Sequence, residues 1–481
     1  MIIHIVILLV LTVIIYILIR TLTFKTVSVD KSKSVYISEN LSNDKINRLS
    51  HAIKLKTVSN SDYSKTDFDI FEEFIKYLEV SFPLVHNSME FKRINSYALL
   101  YRWKGKNTNK NPVLFTSHYD VVPVEAGTEN KWKYDGFSGA VREGRIWGRG
   151  TLDIKSQVMA LMEAAEKLIK ENFTPENDIY FAFGHDEEVG GTQGAKKISE
   201  YFEENNIKLD AVYDEGGLVI SGAVSGVSSP IALVGTAEKG YCDVELSISA
   251  YGGHSSTPPK ETALGIISKI INSIEKNPMA ASLSSPVKEM LSNICHEMGF
   301  AVKMAVANLW LFKPVLFKLF SGSTSTNAMV RTTIVPTVIN AGEAANVIPQ
   351  NAKCIFNIRL IPGDSGSDVL NHIKNLSKRY NALLTLLTIE ESSKISPTNT
   401  EGYNKLISSI KKFYPNAIPT PYLVMGGTDA RKYYNVCDNI YRFTPIWITD
   451  EEKDTMHSHN ESISVENYLR MIDFFEIMFK K

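Results

Sequence analysis

The chain has 481 residues, 44% of them hydrophobic and 22% charged, with a formal net charge of −1. That length is too great for one ordinary core and predicts about two globular domains. Near-neutral charge with no basic stripe excludes an electrostatic case for nucleic acid as a partner. The four cysteines, Cys242, Cys295, Cys354 and Cys437, are widely spaced without a paired metal or redox motif; they read as buried thiols, with one disulfide open to a lumenal protein.

Met1 to Ile19 are almost wholly apolar, with His4 the one strongly polar side chain. A helix of 19 residues spans about 28 Å at 1.5 Å per residue, close to the roughly 30 Å hydrocarbon core. Residues 1–20 are therefore predicted to be an N-terminal membrane anchor. The rival is a cleaved signal peptide; against it stand the missing basic leading region, the long apolar run and the lack of a small-x-small site. Arg20 and Lys25 after the span argue for a cytosolic body. Asn40-Leu41-Ser42, Asn172-Phe173-Thr174 and Asn375-Leu376-Ser377 are glycan-type triplets, of use only to a lumenal one.

Residues 21–45 are polar and Ser/Lys-rich, a linker. From 46 to 235 apolar strand-like runs alternate with amphipathic helices, which predicts an α/β domain with a mainly parallel sheet covered by helices on both faces. Ligands in such sheets gather beyond the strand C-termini. Residues 236–392 read as an inserted α+β lid, and 393–481 as a return to the first domain. Inside the lid, Phe300 to Phe320 is conspicuously apolar, although Lys303, Lys313 and Lys318 interrupt it and Pro314 should break any continuous span. Helix packing is the default reading; a membrane-touching surface and a wall for an acyl chain are the others.

Five segments share one design, an apolar run that delivers a metal-type ligand. Val113 to Ser117 leads to His118 and Asp120, and Ile179 to Phe183 leads to Glu187 and Glu188. Adjacent side chains on an extended chain face opposite ways, so the two Glu residues divide the work: one holds a metal, the other handles protons. Ile146 to Leu152 leads to Asp153, just before a helix with Val158, Leu161, Met162 and Ala165 on one face; a helix N-cap is the plainer role for that Asp. Leu209 to Tyr213 leads to Asp214-Glu215-Gly216-Gly217. Met456-His457-Ser458-His459-Asn460-Glu461 closes the series, and either histidine there could be the ligand. Nitrogen and carboxylate donors without thiolate suit zinc in an open, hydrolytic site. Five are too many for one tetrahedral ion and suit two, about 3.5–4 Å apart, sharing a carboxylate.

Ser117-His118-Tyr119-Asp120-Val121-Val122-Pro123, Gly148-Arg149-Gly150-Thr151-Leu152-Asp153-Ile154-Lys155, Asp186-Glu187-Glu188-Val189-Gly190-Gly191, Asp214-Glu215-Gly216 and the 457–461 block together resemble the di-zinc aminoacylase and carboxypeptidase family of metallopeptidases. The resemblance runs from about residue 45 to the end and looks closest to the branch of the Gly-X carboxypeptidases and the N-fatty-acyl-amino-acid synthase/hydrolases. It implies two zinc ions per subunit. Asp153 would bridge them, His118 and Asp214 would complete one, and Glu188 and His457 the other. The family spacing of a ligand four residues before the Glu selects His457.

The resemblance further makes Glu187 the general base and Asp120 the residue that orients His118. His254, in a glycine turn, becomes the oxyanion stabiliser, reaching across a dimer in some relatives. Arg359 becomes the clamp for a substrate carboxylate, and Asn346, Gly427 and Thr428 become substrate contacts. The implied activity is a carboxypeptidase on short peptides. An N-acyl (fatty acyl) amino acid hydrolase/synthase is the alternative, and a catalytically dead binding protein on the same fold is the reading from another class. A homodimer through the lid, a membrane-held body and a lumenal, vacuolar or secreted location complete the expectations.

Overall fold

Four strands run parallel through the middle of the molecule in the order Ile179–Gly184, Val113–His118, Ala211–Asp214 and Ile440–Arg442. Every residue of Ile179–Gly184 is buried, the mark of a strand covered on both faces. The computed structural model describes all residues except 39–41, 108, 223 and 225, so the triplet at Asn40 lies outside the described residues.

The hairpin Glu90–Ile94 and Ala98–Trp103 extends the sheet antiparallel on one side. Ile231–Glu238, Val219–Ser221, Trp447–Thr449 and Ile418–Val424 complete ten strands on the other. The fold is α/β, with a mixed sheet: parallel at its centre, antiparallel on the hairpin flank, and with both kinds of pairing on the other. Alternation along the strands sends Phe115, Phe181 and Tyr213 to one face, under the helices Lys155–Lys170 and Val465–Phe479. Leu114, Tyr180 and Val212 go to the other, under the helix Ala195–Glu204.

A second, four-stranded antiparallel sheet has Gly240–Ser249 and Asn351–Leu360 at its centre and Leu383–Glu390 and Thr333–Ala341 at its edges. The helices Ala263–Lys276 and Gly366–Ser377 cover one face of it with their own small core. The chain passes between the two layers just after Glu238 and returns after Glu390.

Not all of the expected insert belongs to that layer. Met290 and Ile294 of the helix Ser285–Ile294 pack on Ile418 of the large sheet. Val306, Leu316 and Phe320 pack with Ala237 and Leu423. Pro314 does not break the apolar 300–320 stretch: it sits inside the helix Leu309–Phe320, and the break falls at Asn308, after the helix Phe300–Ala307.

At the N-terminus the helix Ile2–Thr23 buries only Ile17 and Thr21. Among the described residues it is the one helix long and apolar enough to cross a membrane, by length and composition. The segment after it, expected as a free linker, is docked: Phe24, Val27 and Val29 join the cores and the Tyr36 amide donates to the Phe413 carbonyl at 2.9 Å. All four cysteines are buried and free.

Glu297 fastens this docked segment. Its carboxylate pairs with Lys31 at 2.9 Å and accepts hydrogen bonds from the Ser228 and Ser229 amides at 2.8 and 2.9 Å. Burial opposes the charge, but the serine and lysine donors win and hold its pKa down to about 2. A depressed carboxylate contributes stability above its unfolded value and loses it as pH falls through the folded value. Glu297→Gln is expected to cost about 2 kcal/mol at neutral pH, with the difference from wild type closing between about pH 4.5 and 2. Denaturant unfolding at a series of pH values measures it; a pH-independent difference would contradict the assignment.

Candidate active site

His118 is the last residue of its strand and is fully buried. Its Nδ1 faces the Asp120 carbonyl at 3.0 Å and the Asp120 carboxylate at 3.3 Å. That carboxylate also accepts hydrogen bonds from the amides of Glu187 and Glu188, each at 3.1 Å, and from the Ser59 hydroxyl at 2.7 Å. One buried Asp thus fixes the ring of His118 and the backbone that presents the acidic pair. A short 3₁₀ turn, Glu187–Val189, replaces the extended strand end that the sequence suggested, and the two carboxylates still point to different neighbours.

The free nitrogen of His118, Nε2, lies 3.1 Å from Asp153 Oδ1 and 3.0 Å from Glu215 Oε1, with Glu187 Oε2 at 3.9 Å. The other oxygen of Asp153, Oδ2, lies 3.0 Å from His457 Nε2, which is 3.3 Å from Glu188 Oε2. Asp153 therefore stands between two histidines, one oxygen to each. It is not the cap of the following helix, whose N-cap position is Ile154. His459 is exposed and its ring faces the Ser458 hydroxyl; of the two candidates, His457 is the one at the site.

Glu461 builds the loop that carries Asp153. Fully buried, it accepts hydrogen bonds from the Gly150, Leu152 and Asp153 amides at 2.9, 2.8 and 3.3 Å and pairs with Arg149 at 2.5 Å. The sequence used Glu461 only to count spacing; its neighbour Arg149, in a glycine-rich turn, was the available signal.

The neighbours Asp214 and Glu215, of which Asp214 was the expected ligand, are placed differently. Asp214 Oδ2 accepts the Ala430 amide at 2.8 Å, and no contact joins it to His118. Glu215 is the one of the two whose carboxylate meets His118, at 3.0 Å. The turn that lets it do so needs glycine: Gly216 has φ +109, and a Cβ on Gly217 would stand 2.1 Å from the Leu233 carbonyl oxygen.

Asp153, Glu187, Glu188, Glu215 and His457 line a cavity of about 240 Å³, with Gly427 and Thr428 on its wall. The Thr428 amide and hydroxyl both donate to Glu238 Oε1, at 3.0 and 2.6 Å, and the same buried carboxylate pairs with Arg431 and Arg442. A larger hollow of about 450 Å³, beside Lys92, Arg102 and Tyr201, holds none of the metal-type ligands.

His254, Asn346 and Arg359 do not line the cavity. All three stand on the second layer. His254 is exposed with its ring on the Ser256 hydroxyl at 2.7 Å, the Asn346 carbonyl accepts the Ser255 amide at 3.1 Å, and Arg359 lies over the Tyr241 ring. The sequence could not place them because their distance from the cavity depends on how the two layers are set, not on any local pattern.

Crowding of acids shifts their titration. Burial, with the charges of Glu215, Asp429 and Glu188 adding to it and His118 opposing, pushes Glu187 well above the usual carboxylate range. Burial likewise raises Glu215 to about 8 and Asp214 to about 6. Burial works against charge on Asp153 too, but hydrogen bonds from His118 and His457 overcome it and lower its pKa. His457 rises to about 10 through Asp153 and Glu188. The donor set fits divalent metal. His118, Glu187 and Glu215 form one group of ligand atoms within 4.8 Å of each other, and His118, Asp153 and Glu188 a second. The buried Glu188 Oε1 has no hydrogen-bond partner, and a cation would satisfy it.

Comparison with known proteins identifies the family. The profile of peptidase family M20/M25/M40 matches residues 114–481. A probable carboxypeptidase S-like protein of Dictyostelium discoideum is 36% identical over 440 residues, covering 90% of this chain and 84% of its own. An N-fatty-acyl-amino acid synthase/hydrolase of Xenopus tropicalis is 34% identical over 466 residues, covering 95% and 90%. The crystal structure of an M20 family metallo-carboxypeptidase from Sulfolobus solfataricus superimposes with a TM-score of 0.68 at 18% identity, covering 91% of this chain and 99% of that one; it shows the shared fold.

The exchange of Asp214 for Glu215 is directly testable. Glu215→Gln is expected to lose about one of two bound metal equivalents, whereas Asp214→Asn keeps both, as read by metal analysis of the purified variants. The reverse pattern would restore Asp214 as the ligand.

Proposed function

Since this chain belongs to peptidase family M20/M25/M40 and is a hydrolytic enzyme, we propose that it is a two-zinc carboxypeptidase that cleaves the amide bond next to the C-terminal residue of short peptides. The observation that carries the reading is Asp153 set between His118 and His457, one oxygen facing each. His118 and Glu215 would hold one ion, Glu188 and His457 the other, and Asp153 both. When bound, the pair supplies Lewis-acid polarisation of the scissile carbonyl and a water that ionises near neutral pH.

The chain's own residues supply positioning and proton transfer. Glu187 lines the cavity without being held by a histidine at hydrogen-bond distance, since its nearest approach to His118 is 3.9 Å. Its burial raises its pKa well above the usual carboxylate range, the direction suited to a base that must also return the proton to the leaving amine. Asp120 acts through others: it orients His118 and holds the Glu187 and Glu188 backbone. Gly427 and Thr428 form the wall against which substrate lies. Arg359, His254 and Asn346 serve the substrate when the four-stranded layer closes over the cavity or a second copy presents its own lid.

N-acyl amino acids are the second substrate class, favoured by the 34% identity to a synthase/hydrolase along nearly the whole chain. The helix Ile2–Thr23 anchors the protein in a membrane, a reading its length and apolarity support; the body lies on the lumenal side, the side favoured by the glycan-type triplets at Asn172 and Asn375 and opposed by Arg20 and Lys25.

Glu187→Gln is expected to lower hydrolysis by about 10²- to 10⁴-fold while metal content stays at two per chain; loss of a metal instead would reverse the division between Glu187 and Glu188. Assays with a blocked Gly-Leu dipeptide and an N-oleoyl amino acid, side by side, separate the two substrate classes. Turnover of the dipeptide supports the carboxypeptidase reading, turnover of the oleoyl compound alone supports the second, and turnover of neither by zinc-loaded protein contradicts both.

A further inference from the structure

The helical pair Phe300–Ala307 and Leu309–Phe320 has two unlike sides. Val306, Leu316 and Phe320 are buried against the large-sheet body. Phe300, Trp310, Leu311, Val315 and Leu319 face outward, between 43% and 61% exposed. Five large apolar side chains on so short a stretch make a patch that a water-facing surface does not explain.

The place of this patch singles out its partner. Asn308, at the corner of the pair, is fully buried, and its side-chain amide donates to the Ile17 carbonyl at 3.3 Å and to the Thr21 hydroxyl at 3.2 Å. The Trp310 ring stands 6.3 Å from that of Tyr16. The corner therefore meets the N-terminal helix over residues 16–21, the last turns of a 22-residue apolar span. In a bilayer those turns lie where hydrocarbon gives way to headgroups, the depth at which Trp and Tyr gather. Charge agrees with depth. No acidic residue occurs from 298 to 342, and Lys303, Lys313 and Lys318 lie within the pair, with Arg20 nearby on the span. An apolar outer face with lysines beside it is the composition of a helix lying in a membrane interface.

We propose that the 300–320 helical pair is a second membrane-contacting element, lying in the lipid interface beside the N-terminal span and holding the body against the bilayer. The inference rests on the anchor reading and adds a contact that the anchor alone does not require. A body held so is set at a fixed distance from the membrane instead of swinging on a tether.

The test uses the full chain in phosphatidylcholine vesicles with either plain or brominated acyl chains, the bromine quenching tryptophans that touch lipid. Of the five tryptophans, Trp310 is the one on this patch. Brominated vesicles are expected to dim wild-type emission, and Trp310→Phe to lose that bromine-dependent part. A Leu311→Glu/Leu319→Glu variant, both sites being exposed, should float with the vesicles yet show weaker quenching of Trp310. Chain that floats but is dimmed equally with and without Trp310, or not at all, would overturn the inference while leaving the anchor in place. Chain that fails to float overturns both. Cross-linking of Leu319→Cys between two copies, with Trp310 unquenched, would assign the patch to a second copy and overturn the lipid contact.

Discussion

Four carboxylates crowd around two imidazoles in one cavity, and this crowding is the constraint from which the rest of the structure follows. Burial alone moves Glu187, Glu188 and Glu215 upward, and each negative neighbour adds to the shift. Side chains so placed are costly to hold together unless positive charge compensates them. Two dications would do so and would satisfy the partnerless Glu188 Oε1, so the proposed centre and the raised carboxylate pKa values belong to one explanation.

The scaffold bears this cost through groups that never touch substrate. Asp120, Glu461 and Glu238 are buried acids that spend their oxygens on backbone amides and arginines. Each fixes one loop: the acidic pair, the Asp153 turn and the Thr428 wall respectively. The acidic pair and the Thr428 wall issue from the C-terminal ends of strands with parallel partners, whereas the Asp153 turn follows Arg145–Trp147 of a small antiparallel sheet. The second layer carries the residues that would complete the substrate site.

Much of this was legible in the sequence because an apolar run that ends in a polar side chain marks a strand end in any context. His118, Asp153, Glu187 and Glu188 follow such runs, His457 is selected by the family spacing, and the five converge. Asp214 and Glu215 were not separable, since both follow the same run and alternation gives no sign of which side faces the site. What distinguishes them is tertiary: the amide of Ala430, 216 positions away, holds Asp214 Oδ2, while Glu215 Oε1 meets His118. Nor could composition show that residues 285–330 leave the inserted layer for the large sheet, or that the polar segment after the first helix is docked by Glu297. Those depend on contacts between separate parts of the chain, which leave no local period to read.

The most direct measurement is anomalous X-ray scattering at the zinc edge from crystals of the active protein. Two peaks are predicted in one cavity, one bonded to His118 and Glu215, the other to Glu188 and His457, with Asp153 touching both. A hydrolysing preparation whose crystals show no peak there, or whose zinc lies elsewhere in the molecule, would contradict the account.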